Sequence, residues 1–277
     1  MMKDDVLIQK EKTELFRDFY NRYEEEINML LQENIERYWT QSSNNYSNII
    51  KDELKSYRPD KWRSLILSQA PDKLVLDILD TGTGPGFFAI ILSQAGHRVT
   101  GIDSAAEMLE KAQKNSVRAG VCPVFIRMDC HKLNFEDNSF DLIVSRNVTW
   151  TLHDPIGVYR QWQRILRPSG RLLIFDANWN FHYYDEELRK EVERREKECI
   201  SIYGSTYSGE DKEKMKLDYD ELPLCKIMRP DWDVKALKEL DFKDISFNPD
   251  ITKDLWDDKE KLLYGASPMF MVAATKE

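Results

Sequence analysis

Cysteine is scarce: four in 277 residues, Cys122, Cys130, Cys199 and Cys225. No two form a Cys-x-x-Cys pair, so a zinc knuckle or a dithiol redox centre has no motif to build on. Scattered free thiols are the expectation, and no metal is assigned. The chain also lacks any apolar run near the roughly 20 residues that span a bilayer. Its first residues, MMKDDVLIQKEK, are too polar for a secretory signal. Basic residues are in deficit, 40 Lys+Arg against 49 Asp+Glu, for a formal net charge of -9. Phosphate binding needs a basic face, so this balance argues against a nucleic-acid partner. The expectation is a cytoplasmic protein with neither a membrane nor a nucleic-acid partner.

Hydrophobic residues make up 42% and charged residues 32%, the composition of a soluble globular chain. The length suits one large domain with additions. In the first forty residues Phe16, Phe19, Tyr20, Tyr23, Ile27, Leu30, Leu31, Ile35 and Tyr38 recur at steps of mostly three and four. That spacing predicts an amphipathic helix or a pair of them. The polar run TQSSNNYSN, residues 40–48, predicts a break, with further helices before and after Arg58.

From Lys73 the texture changes. KLVLDILD, HRVTGID, CPVFIRMD, SFDLIVSR and GRLLIFDA read as buried strands, separated by the helical runs FFAIILSQAG, AAEMLEKAQKNSVRAG and PIGVYRQWQRIL. Strand and helix alternating in this way predict an α/β fold, a parallel sheet with helices on both faces. FKDISFNPDI and SPMFMVAATK add two last strands. Residues 1–70 form a helical extension or cover, 71–277 the core, and 178–230 a helical, lid-like insertion after the fifth strand. Ligands in such sheets bind beyond the carboxyl ends of the strands, so the informative residues should follow the strands.

LDTGTGPGFF, residues 79–88, follows the first strand. Gly82, Gly84 and Gly86 allow a sharp turn and close backbone approach. Compared with the dinucleotide pattern G-x-G-x-x-G, the third glycine comes one residue early. A plain turn, a nicotinamide dinucleotide and S-adenosylmethionine are the competing readings. Asp80 would repel a pyrophosphate and suits a ligand with an ammonium and a sulfonium. Asp103 ends the second strand, where it can accept both ribose hydroxyls or simply cap a helix, a role for which Ser104 competes. Asp129 ends the third strand and can accept from an adenine amino group, with Met128 and Cys130 against the ring. Three successive strands ending in an acid favour S-adenosylmethionine over the dinucleotide.

LDTGTGPG, VTGIDSAAEML, RMDC, FDLIVSRNVTWTLHDP and RILRPSGRLLIFD, in this order, resemble the motifs of class I S-adenosylmethionine-dependent methyltransferases of the small-molecule type. The resemblance covers about residues 70 to 177. Ser169 departs from the family's Pro-Gly-Gly turn. The resemblance implies a Rossmann-like seven-stranded, mostly parallel sheet. It places Gly82, Thr83, Gly84 and Gly86 around the methionine part of the cofactor, Asp103 and Ser104 at the ribose, Asp129 at the adenine, and Met108, Met128 and Cys130 near it. Asn147 falls near the methionine moiety or the reacting methyl. Tyr46 falls in a segment that folds over the cofactor. It implies a small-molecule methyl acceptor. A non-catalytic cofactor-binding protein and a NAD-dependent oxidoreductase remain as alternatives, and the N-terminal helices could support a homodimer.

Methyl transfer from a sulfonium is an in-line displacement that needs alignment and a dry site, and a base only if the acceptor carries a proton. His153, Trp150 and His182 are the candidates for catalytic roles. The competing reading is a capping or surface role for the histidines and core packing for Trp150. Trp39, Trp179, Phe181, Tyr183 and Tyr184 could wall an apolar acceptor pocket or equally pack in the core.

Overall fold

The computed structural model describes the backbone of residues 2–206 and 217–277, and side chains from Tyr23 onward except Glu24. Seven strands form one sheet in the order β3-β2-β1-β4-β5-β7-β6. These are β1 (Asp77–Thr81), β2 (Arg98–Asp103), β3 (Val124–Arg127), β4 (Phe140–Arg146), β5 (Leu166–Asp176), β6 (Lys243–Asn248) and β7 (Phe270–Thr275). β7 runs antiparallel to both β5 and β6, and the other pairings are parallel. The order reverses between β1 and β4. A crevice therefore opens at their carboxyl ends, where this topology places ligands.

The central strands are continuous apolar runs because both faces are covered. Ile78, Leu79, Leu142, Ile143, Leu173 and Ile174 are fully buried. One face packs on α2 (Arg58–Gln69) and α3 (Phe87–Gln94) through Trp62, Ile66, Phe88 and Ile91. The other face packs on α5 (Pro155–Ile165) through Val158, Tyr159 and Trp162. α4 (Ala106–Arg118) follows β2.

The extension departs from the predicted break. α1 runs unbroken from Met2 to Leu54, through the polar segment at 40–48. No glycine or proline occurs before Pro59, so nothing forces a stop. The small polar residues serve contact instead. Ser43 and Ser47 are buried, while Thr40 donates to Glu107 (2.7 Å) and Lys111 donates to Asn44 (2.5 Å) on α4. The predicted stripe is buried at Leu31 and Ile35 but exposed at Tyr23, Ile27 and Leu30. Phe16, Phe19 and Tyr20 lie outside the described side chains.

The insertion contains α6 (Glu186–Tyr203) and then short turns up to Cys225. α7 (Asp231–Glu239) leads into β6. α8 (Asp258–Tyr264), which the sequence reading did not assign, lies between β6 and β7 and receives Arg195 of α6 at the carbonyls of Lys261 and Leu262. A buried network ties the insertion to the sheet. Arg229 donates to Asp176 (3.1 Å) and to Asp233 (2.6 and 2.8 Å), and Tyr159 donates to Asp233 (2.5 Å).

Candidate active site

A cavity of about 640 Å³, open solvent included, sits at the carboxyl ends of β1, β2 and β4. One wall is the turn after β1. Gly82 has φ +66°, and a Cβ there would come within 2.3 Å of Val148 Cγ2. Only glycine fits this close approach. Gly84 faces the cavity opposite Tyr46, whose ring carbon would lie 3.5 Å from an added Cβ.

Asp80 does not reach the cavity. It is buried behind the turn, where its carboxylate accepts from Thr83 Oγ1 (2.5 Å) and from the Ala89 amide (3.0 Å). Burial pushes its pKa up to about 7. Thr83 likewise points inward, its amide donating to the Ile102 carbonyl (2.8 Å). Gly86 packs against Ala112 and Phe125. Asp80, Thr83 and Gly86 thus shape the turn from its inner side and stand outside the cavity lining.

Asp103 does line the cavity. Its two oxygens accept from the amides of Gly84 and Ala105, each at 2.9 Å. A carboxylate has about four lone-pair sites, so it keeps acceptor capacity towards the cavity. Burial raises its pKa to about 6. Ser104, Met108, Met128, Asp129 and Cys130 continue the same wall. Asp129 accepts from the His131 amide (2.9 Å) and meets His131 Nδ1 at 2.7 Å. Burial tends to raise its pKa, but the His131 contacts prevail and hold it below the usual range. Asp129, Cys130 and His131 also bring one possible metal-donor atom each within 4.8 Å of one another, fewer than the four donors of a structural zinc site.

The opposite wall comes from the turn after β4. Asn147 adopts φ +59°, and its side-chain oxygen is buried without a hydrogen-bond partner among the described residues. Arg146 lines the cavity beside it. Its guanidinium lies over the rings of Trp62, Phe87 and Phe88 at 4.8, 5.0 and 5.7 Å, and pairs with Glu53 of α1 at 2.9 Å. The roof is α1, through Gln32, Ile35, Trp39 and Tyr46. The described part of the insertion contributes none of the lining. It braces the roof instead, through a cluster of Leu217, Leu222 and Cys225 with Leu31, Ile35 and Trp150.

The three candidates for catalytic roles stand outside the lining. Trp150 is buried in that bracing cluster and donates its Nε1–H to the Asn147 carbonyl (3.1 Å). His153 stacks on His131, centroids 3.7 Å apart, and burial lowers its pKa to about 4. His182 meets the Trp179 carbonyl through Nδ1 at 3.0 Å, on the insertion. The sequence reading missed the Glu53–Arg146 pair. Its one signal was an acid on the face of α1 that also buries Ile50, three residues earlier.

Known proteins agree with this architecture. A family profile described as a methyltransferase domain matches residues 79–174. The demethylmenaquinone methyltransferase of Thermotoga maritima is 32% identical over 203 residues, 68% of this chain and 79% of its own. A ubiquinone/menaquinone biosynthesis C-methyltransferase, UbiE of Desulfotalea psychrophila, is 31% identical over 123 residues, 42% of this chain and 48% of its own. The chain spans 66% of the length of YqeM from Bacillus subtilis and 40% of a Streptomyces fradiae transposon protein. Among solved structures, phosphoethanolamine N-methyltransferase 2 of Haemonchus contortus, in complex with S-adenosyl-L-methionine, superposes with a TM-score of 0.55 at 20% identity. That alignment covers 78% of this chain and 52% of that one. The chain therefore belongs to the class I S-adenosylmethionine-dependent methyltransferases. Of the two nucleotides open to the glycine turn, S-adenosylmethionine is the cofactor.

Proposed function

We propose that the cavity holds S-adenosylmethionine between the Asp103–Asp129 wall and the Arg146–Asn147 wall, and passes its methyl group to a small, largely apolar aromatic acceptor under α1. The observation that carries this reading is the lining itself. Acceptor groups stand at the ends of β2 and β3, and a buried, partnerless amide oxygen and a fixed cation stand after β4. These fit a ligand with an adenosine at one end and an amino acid at the other.

When bound, the cofactor supplies the electrophilic methyl group and its leaving group. The chain supplies position and dryness. Asp103 accepts the ribose hydroxyls, and Asp129 accepts the adenine amino group. Met108 and Met128 flank the ring. Trp39, Tyr46 and Ile35 exclude water and align the acceptor, and alignment alone is worth a large part of such a barrier. Burial raises the pKa of Tyr46, so its phenol acts as a hydrogen-bond donor to the acceptor and not as a base.

Of the proteins named above, one is named for demethylmenaquinone, one for ubiquinone and menaquinone biosynthesis, and one for phosphoethanolamine. Here the α1 roof over the acceptor space presents Ile35, Trp39 and Tyr46, which favours the aromatic class. Calorimetry with S-adenosylhomocysteine, followed by transfer assays on phenols, quinols and phosphoethanolamine, tests the reading. Transfer to phenols or quinols is expected. Turnover of phosphoethanolamine alone would overturn it.

A further inference from the structure

The turn after β4 brings Val148, Thr151 and Leu152 to the cavity, while Thr149 and Trp150 between them stand outside its lining. Thr149–Thr151 is a single 3-10 turn. It is closed by bonds from the Thr151 amide to the Val148 carbonyl (2.9 Å) and from the Leu152 amide to the Thr149 carbonyl (3.2 Å). One such turn is not stable by itself, so its geometry must come from what it is tied to.

The tie is a buried polar ring. Asp176, at the end of β5, accepts from the Thr149 hydroxyl and from the Trp150 amide (3.1 Å) on one oxygen. Its other oxygen accepts from the Ala177 amide (2.9 Å) and Trp179 Nε1 (3.0 Å). Arg229, in the insertion, closes the ring by donating to Asp176 (3.1 Å) and to the Thr149 hydroxyl oxygen (2.7 Å). The rest of its fork holds Asp233 at 2.6 and 2.8 Å. The side chains of Arg229, Asp176 and Asp233 are all 0% exposed. Desolvating such a group costs about as much as the attraction returns, so it is weak as a stabilising device. What it supplies is direction. The Thr149 hydroxyl both donates and accepts, which leaves it one orientation.

We propose that Arg229 is a positioning residue. Through Asp176 and Thr149 it sets the 148–152 wall of the cavity, so the insertion governs the site without entering it. That the wall borders the cofactor rests on the placement proposed above. A second contact from the insertion acts in the same direction, the Cys225 thiol donating to the Trp150 carbonyl at 3.5 Å.

The network has a near side and a far side, and variants separate them. Thr149→Val removes the link to the wall and keeps both ion pairs. Thr149→Ser restores the hydroxyl. Arg229→Lys keeps the cation, but one ammonium cannot span Asp233, Asp176 and Thr149 together. Tyr159→Phe removes the hydrogen bond to Asp233 (2.5 Å) and leaves Thr149 and Asp176 with all their partners. In the ligand-free protein, hydrogen exchange at the Trp150, Thr151 and Leu152 amides should quicken by about fivefold or more in Thr149→Val and Arg229→Lys. It should stay within about twofold of wild type in Thr149→Ser and Tyr159→Phe. Calorimetry with S-adenosylhomocysteine should divide the variants in the same way, even though Tyr159→Phe lowers the melting temperature.

Wild-type exchange at these amides in Thr149→Val overturns the proposal, because the turn then holds itself. So does an equal quickening in Tyr159→Phe, which marks global loosening alone. Wild-type exchange in Arg229→Lys removes Arg229 from the role. If that variant does not fold, Thr149→Val and its serine rescue still decide. Asp103→Asn distinguishes the two levels. If it leaves S-adenosylhomocysteine binding unchanged, the cofactor placement fails. A loss there, with wild-type exchange in Thr149→Val, sinks this inference alone.

Discussion

Asp103 carries the sharpest prediction at the scale of a single residue. Both of its oxygens already hold a backbone amide, and burial lifts its pKa to about 6. Ionised, it accepts ribose hydroxyls on its remaining lone pairs. Protonated, it loses part of that capacity. Ligand binding therefore favours the ionised form, and affinity rises with pH through about 6 and levels off above it. Calorimetry with S-adenosylhomocysteine from pH 5 to 8 should show this slope. Asp103→Asn should weaken binding about tenfold or more at pH 7.5, the scale of losing charge-assisted hydrogen bonds, and should remove the slope. A wild-type affinity independent of pH would show that the carboxylate does not face the ligand. Asp103 and Asp129 were legible in the sequence because each follows a strand at the ligand edge. Asp80 follows the same rule, yet its side chain turns to the Thr83 hydroxyl and the Ala89 amide. Sequence position gives the edge of the sheet but not the direction in which a side chain points there.

At the scale of elements, the five parallel strands were legible because burial on both faces leaves an uninterrupted apolar run. The course of α1 was not. Residues 40–48 look like a turn by composition, yet the helix crosses them because serine and asparagine find partners on α4. Continuity matters for the site, since Trp39 just precedes that segment, Tyr46 lies within it, and both line the cavity. Proline at Ser43 would remove the intrahelical bond to the Trp39 carbonyl and clash with it, costing about 3 kcal/mol or more in a helix interior. Ser43→Pro should keep the sheet's circular-dichroism signature and lose S-adenosylhomocysteine affinity by at least tenfold, as the two aromatic residues leave register. A folded variant with wild-type affinity would show that α1 is not the functional roof. Glu53 escaped the sequence reading for a related reason. Its partner Arg146 is 93 residues away, and no local pattern encodes that distance.

For the whole molecule, stability against pH is a contest between buried groups of opposite sign. Asp80 has an ordinary value of 3.8 and a folded value of about 7. The folded chain binds its proton more tightly than the unfolded chain does. Its contribution is complete below the ordinary value and is lost as pH rises through about 7. His153 has an ordinary value of 6.5 and a folded value of about 4. It is held neutral, so its contribution is present above the ordinary value and is lost as pH falls towards about 4. Each group bends the curve by up to roughly 1.4 kcal/mol per pH unit inside its window. The total slope mixes both with Asp103 and the surface acids, so variants must isolate them. Urea unfolding at pH 5 and pH 7.5 supplies the comparison. Asp80→Asn keeps an acceptor for Thr83 and removes the buried acid. Relative to wild type, it should therefore gain stability on going from pH 5 to pH 7.5. His153→Asn should change in the opposite direction, gaining relative to wild type as pH falls to 5. The signs follow from burial alone, one group being uncomfortable when ionised and the other when protonated. If both variants track wild type in parallel across this range, neither group is desolvated in the folded chain. The cavity wall that Asp80 supports would then be open to water from behind.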